Sequence, residues 1–223
     1  IEQVLKMAKP LQLKLREWHH SLPSQLSMAR FVPRRFNSNA TLTLSYFTAE
    51  ITLHRKIISS LFQNSKDTPK ELTHVCRTAA KTRLIAAIEF VRDLKNEHIN
   101  SFWYSNSTGN FMLIGTFAAL LYVTSQTKEE ATMYRDLLRN YIWILRVGSK
   151  SFDKLKIVLD NMHQLLAQVP GLLTDATPLV SDFIPPPLSS SSNAVKSGSM
   201  PNVTQQQMYN QYSNGSNPSH QGS

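Results

Sequence analysis

The sequence predicts an all-α protein, an irregular multi-helix bundle of about six helices followed by a disordered tail. Three observations carry this. Apolar residues recur at three- and four-residue spacing, and no segment sustains the period-two alternation of a half-buried strand. Capping signals and breakers bracket the periodic runs. The composition also breaks at about Ile184. Residues 185–223 hold five prolines, one charged side chain (Lys196) and no acid, and Ser, Asn and Gln fill about half of them. Such a stretch cannot bury enough apolar surface to offset the entropy of ordering it. The expected organisation is a helical domain over 1–184, long enough for a real core, and a disordered tail over 185–223.

The elements follow in order. Pro10 to Ser21 reads as a short helix carrying Leu11, Leu15 and Trp18, with Leu22 just beyond it. A loop with Pro23, Pro33 and the pair Arg34-Arg35 leads to a helix at about 40–62. That helix is apolar over most of its circumference (Leu42, Leu44, Tyr46, Phe47, Ile51, Leu53, Ile57, Leu61), which places it in an interior. Thr68-Pro69-Lys70-Glu71 reads as a capping box with proline at the first helical position, opening a helix to about Lys95. Thr127-Lys128-Glu129-Glu130 opens another, with Tyr134, Leu137, Leu138, Tyr141, Ile144 and Leu145 on one face and Arg146 then Gly148 at its end. A last helix runs from about Ser151 through Phe152, Leu155, Val158, Leu159, Met162, Leu165, Leu166 and Val169, and Pro170-Gly171 stops it.

Residues 99–127 contain no formal charge. Their strongly apolar run, Phe111 to Val123, falls short of the roughly 20 residues that span a bilayer. The polar Ser105 to Asn110 precedes it. A buried helix of a bundle is expected, with Phe102-Trp103-Tyr104 packing at its entrance.

Reaction signatures are absent. There is no GxGxxG, GxxxxGK[ST], HExxH or GxSxG, and the acids are scattered. Glu129-Glu130 complements the positive end of a helix. His19 and His20 diverge on a helix, and His54 and His163 stand alone; each is expected to be structural or at the surface. Cys76, although near Arg77 and Lys81, sits among small residues and reads as a packing thiol. No catalytic residue and no metal ligand is assigned. One cysteine excludes a disulfide framework and a thiolate-rich zinc site within the chain. The net charge is +9, of which +8 remains on 1–184 once Lys196 is set aside. This raises nucleic-acid binding, but the bases are dispersed, and Arg30, Arg34 and Arg35 beside Phe31 and Phe36 read as a solvated loop. Lys6, Lys9 and Lys14 exclude a secretory signal at the start, so the sequons at Asn39, Asn106, Asn202 and Asn214 are chance matches. The opening Ile1 suggests a piece of a longer protein, truncated on its N-terminal side.

Against this background, Leu15-x-x-Trp18-x-x-x-Leu22-Pro23-x-x-Leu26, then Leu42 to Tyr46 and Leu53-His54-Arg55, then Cys76-x-x-Ala79-Ala80, resemble the middle regulatory region of fungal zinc-cluster transcription factors. Lys56 stands where many members have proline. Phe102-Trp103-Tyr104, Ile114-Gly115-Thr116-Phe117, Tyr134-Arg135 and Leu145 to Lys150 look like a nitrogen-catabolism co-activator subgroup. The motif positions Trp18, Leu22, Pro23, Tyr46, His54, Arg55, Cys76, Ala79 and Ala80 are expected to be structural. The resemblance implies a nuclear regulator of RNA polymerase II transcription, acting on metabolic genes. It implies DNA contact through an upstream two-zinc, six-cysteine module absent from this chain. It also implies other transcription factors or coactivators as partners, a small-molecule effector of unknown kind, no zinc in these residues and no membrane. The alternative from another class is a helical enzyme or lipid-handling protein that uses 99–127 as a pocket wall.

Overall fold

The computed structural model describes residues 1–28 and 35–169. The expected helix stop at Pro170-Gly171, the tail 185–223 and the Arg30–Phe31–Arg34 part of the basic loop lie outside the described residues. Seven α-helices and one 3₁₀ turn form, with no strand among the described residues. They are α1 (Glu2–Ser21), the turn Ser24–Leu26, α2 (Asn39–Gln63), α3 (Lys70–Arg92), α4 (Asn96–Ile99), α5 (Ser107–Val123), α6 (Lys128–Gly148) and α7 (Asp153–Leu166). The all-α expectation holds, and the single turn of α4 brings the count to seven.

The uncharged segment supplies the hub. α5 packs against α2, α3, α6 and α7, while α1 lies on α2. Phe111, Ile114, Phe117 and Leu121 are fully buried, and burying each contributes on the order of 2–3 kcal/mol. Glycine is required at 115 by close approach. A Cβ there would stand 2.5 Å from the Met162 methyl and 3.3 Å from the Tyr141 ring, so α6 and α7 sit almost on the α5 backbone. Tyr141, fully buried, donates its hydroxyl hydrogen to the Phe111 carbonyl at 2.7 Å. No helix among the described residues is long and apolar enough to cross a membrane.

Three local expectations are corrected. α1 begins at Glu2 and runs through Pro10, because Pro10 and Lys6, the residue whose carbonyl loses its bond, are both exposed. Water can satisfy that carbonyl, and Ile1, Val4, Leu5 and Ala8 pack the extra turns onto the core. Thr68 is not a cap. Its hydroxyl donates back to the Asn64 carbonyl at 2.8 Å, and α3 opens after Pro69 with no side-chain cap. α3 stops at Arg92, short of Lys95, since Asn96–Ile99 turns separately. The second box behaves differently. Thr127 accepts from the Glu130 N–H at 3.1 Å, and Glu130 reaches back to the Gln126 N–H at 2.9 Å.

Around residues 102–104 the chain is not helical, and its aromatics alternate. Trp103 is buried against Phe111 and Phe152, with its indole N–H on the His98 carbonyl at 2.9 Å. Phe102 and Tyr104 face outward. Only the middle ring of the triplet packs as the entrance to α5.

Candidate functional site

Four-residue spacing puts Tyr46, Glu50 and His54 on one face of α2. α1 runs antiparallel across that face, with His19 opposite Tyr46 and Gln12 opposite His54. α3 brings Arg83. The result is a polar cluster sealed between three helices. Glu50 is 4% exposed and its Oε2 lies 2.9 Å from Arg83 Nη1. Burial pushes the Glu50 carboxyl above its ordinary range, and the Arg83 guanidinium and the Tyr46 hydroxyl oppose it. Burial, reinforced by the Glu50 charge, pushes the Tyr46 phenol up to about 12.

His54 is 5% exposed. Burial, and then the Arg83 charge, hold its imidazole down to about 4, so it is neutral near pH 7. Gln12 Nε2 stands 3.3 Å from His54 Nε2. An amide donating there leaves the hydrogen on Nδ1, which is buried with no hydrogen-bond partner. His19 stacks on Tyr46 with centroids 3.9 Å apart and planes 20° apart, and Trp18 lies 6.5 Å from the same ring. Burial lowers His19 as well, with His20 and Arg83 adding to it. A carboxylate, a guanidinium, a phenol and a neutral imidazole are thus locked between α1, α2 and α3. Such a buried set fixes geometry more than it adds net stability.

The motif residues divide. Trp18, Tyr46 and His54 come together in this cluster. Leu22 ends α1 in an extended conformation and Pro23 leads into the 3₁₀ turn. With His19, Leu26, Met28 and Thr43, Leu22 lines a depression of about 360 Å³. Arg55 is half-buried. Cys76 and Ala80 are buried and Ala79 is half-buried on α3, where small side chains suit close helix packing. Burial pushes the Cys76 thiol upward. Arg77 does not serve the thiol; it points elsewhere.

Arg77 forms the second buried charge site. It is 7% exposed, with Nε donating to Glu130 Oε1 at 2.6 Å, Nη1 to Thr124 Oγ1 at 3.3 Å and Nη2 to the Leu121 carbonyl at 3.2 Å. Its guanidinium carbon lies 5.9 Å from the centre of the Tyr134 ring. One cation from α3 therefore closes the negative end of α5 and holds the carboxylate at the positive end of α6. The sequence shows Glu130 as a capping residue but not its partner, 53 positions away. Glu50 left one clue, as an acid inside a helix that is otherwise apolar nearly all round. No group of three or more His, Cys, Asp or Glu side chains placed to hold a metal occurs among the described residues. A zinc cluster does not fit these residues.

No family model and no solved structure matches the chain. Among curated proteins it is 70% identical over 181 residues, 81% of its length, to Transcriptional activator protein DAL81 of Saccharomyces cerevisiae. It is 26% identical over 137 residues, 58% of its length, to Activator of stress genes 1 of the same organism. The chain spans 18% and 14% of the lengths of these two relatives. The helical cluster and this identity agree with the motif resemblance, and the enzyme alternative finds no support among them. Over four fifths of its length the chain is thus similar to a stretch of a fungal transcriptional activator, in line with the regulatory-region resemblance of its motifs.

Proposed function

We propose that this chain is a regulatory domain of a nuclear fungal transcription factor of the zinc-cluster type and not an enzyme. It controls RNA polymerase II transcription of metabolic, specifically nitrogen-catabolic, genes. The 70% identity over four fifths of the chain to a transcriptional activator carries this reading. DNA contact and zinc belong to a six-cysteine module outside these residues, since this sequence has one cysteine. The helices regulate by holding or releasing a docking arrangement for other transcription factors or coactivators. Trp18, Tyr46 and His54 act in that arrangement by clasping α1 to α2 and α3; Leu22 and Pro23 set the turn after it, and Cys76, Ala79 and Ala80 pack α3.

The test tethers residues 1–223 to a foreign DNA-binding module upstream of a reporter. Activation or repression that depends on nitrogen source is expected. No effect on any promoter or nitrogen source overturns the proposal.

A further inference from the structure

α6 gathers cations and one large ring on the side turned away from the core. Its inward side chains, Tyr134, Leu138, Tyr141 and Leu145 among them, are buried. Arg139, Trp143 and Arg146 follow one another at four- and three-residue spacing, which sets them together on the opposite side. Trp143 is 37% exposed, and Val147, one turn on, is 49% exposed. Arg139 is exposed and Arg146 half-buried, and the exposed Lys150 follows in the turn beyond Gly148. That turn is tight, since the Ser151 and Phe152 N–H groups both reach the Gly148 carbonyl, at 3.1 and 3.0 Å. A Cβ on Gly148 would stand 2.6 Å from Leu155 Cδ1, so the first turn of α7, with Lys154, begins against the end of α6. Residues 137–152 hold no acid, and Asp136 and Asp153 bound them. Among the described residues no carboxylate pairs with Arg146, Lys150 or Lys154.

Tryptophan set among arginines is the composition of an interface core. The cations select a negatively charged partner by complementarity. Trp143 and Val147 select one that also brings apolar side chains to cover them. A phosphate backbone answers the charge but leaves that apolar surface bare. The chain itself does not supply the occupant. Residues 170–223 carry Asp175, Asp182 and Lys196, net −1 of a whole-chain +9, which leaves +10 on residues 1–169. The C-terminal stretch is thus too weakly acidic, and a second copy would set cations against cations.

We propose that the outward face of α6, formed by Arg139, Trp143, Arg146, Val147 and Lys150, docks an acidic segment of another protein. Carboxylates of that segment pair with Arg146 and Lys150, and its aromatic or aliphatic side chains lie on Trp143 and Val147. This docking is a property of the folded helices and does not rest on the transcriptional reading.

Fluorescence anisotropy with the full chain tests it. The probe is a labelled peptide of glutamates with leucine and phenylalanine at helical spacing. The comparison peptide has serine at those apolar positions. The salt is about 150 mM, where charges beyond about 8 Å are screened. The apolar acidic peptide is expected to bind at least tenfold more tightly than its serine counterpart. Trp143→Ser, and separately Arg146→Glu with Lys150→Glu, are each expected to weaken it at least tenfold with thermal unfolding unchanged. Lys6→Glu with Lys9→Glu makes the same change in net charge at exposed positions of α1, which packs on α2. That variant is expected to keep its affinity within about twofold. Equal affinity for the two peptides overturns the proposal, as does an equal loss in the α1 variant, because either leaves only net charge at work. Failure of the apolar acidic peptide to bind overturns it too. So does displacement of that peptide by an equal concentration of duplex DNA, which would assign the face to phosphate.

Discussion

At the scale of single residues, two buried groups make opposite demands. Arg77 is charged, and it meets groups that suit a cation: a carboxylate, a hydroxyl, a helix-terminal carbonyl and an aromatic face. Arg77→Leu removes all of these and leaves Glu130, whose side chain is 20% exposed, without its cation. The expected loss is about 3 kcal/mol, the low end for breaking a buried pair because Glu130 keeps some water. Thermal unfolding checks this, with a fall in Tm of several degrees. His54 instead stays neutral. Its folded value near 4 lies below its ordinary 6.5, so the unfolded chain takes up the proton first as pH falls. The stability it lends is whole above pH 6.5 and is lost as pH drops toward 4. Glu50, raised by burial, has the opposite sign, which makes a difference measurement necessary. The stability gap between the wild type and His54→Gln is expected to narrow by about 2–3 kcal/mol between pH 7 and pH 4.5 in urea titrations. A gap that stays constant with pH would remove the neutral imidazole from the account. Neither role was legible beforehand. Arg77 looked like a neighbour of Cys76, and His54 looked like a solitary surface or packing histidine, because their partners come from other helices.

Between elements, the controlling fact is how closely α5 lets α6 and α7 approach. Gly115→Val places methyl groups where the Met162 methyl and the Tyr141 ring already stand. A cost of about 1–3 kcal/mol is expected from overpacking. Met162→Ala added to Gly115→Val should recover part of it, whereas independent sites would give additive losses in a double-mutant cycle. α1 offers the reverse case. Pro10 sits in its interior without an N–H, and proline there costs about 3 kcal/mol relative to alanine. Pro10→Ala also loosens the unfolded chain, by about 1 kcal/mol. A net gain of about 2 kcal/mol is expected, read as slower amide exchange across Glu2–Ser21. The apolar periodicity located α6 and α7 to within a few residues because each carries a continuous stripe, and the nearly all-round apolar runs located α2 and α5. Pro10 misplaced the start of α1, since proline at a first turn and proline tolerated in an exposed interior leave the same local sequence.

At the scale of the whole chain, the +10 on residues 1–169 is spread along the sequence without a dense run, with Arg77 and Arg83 taken up by carboxylates inside. Dispersed charge supports weak, sequence-independent attraction to phosphate. Residues 1–223 are expected to shift duplex DNA only at low salt, equally for all sequences, and not at 150 mM salt; electrophoretic shifts at several salt concentrations check this. The chain's own sequence determined the helical class, the uncharged hub, the single buried cysteine and the motif pattern of zinc-cluster regulators. All of these follow from composition and from periodicity within one segment, where neighbours in sequence are neighbours in space. Tertiary structure alone decided that Arg83 of α3 meets Glu50 of α2, that Trp18 and His19 of α1 lie against Tyr46, that Arg77 joins α5 to α6, and that α6 and α7 close onto Gly115. The reason is physical. Those pairings depend on the relative positions of helices, which are set by which side chains interdigitate across the core, and no spacing along the chain records that.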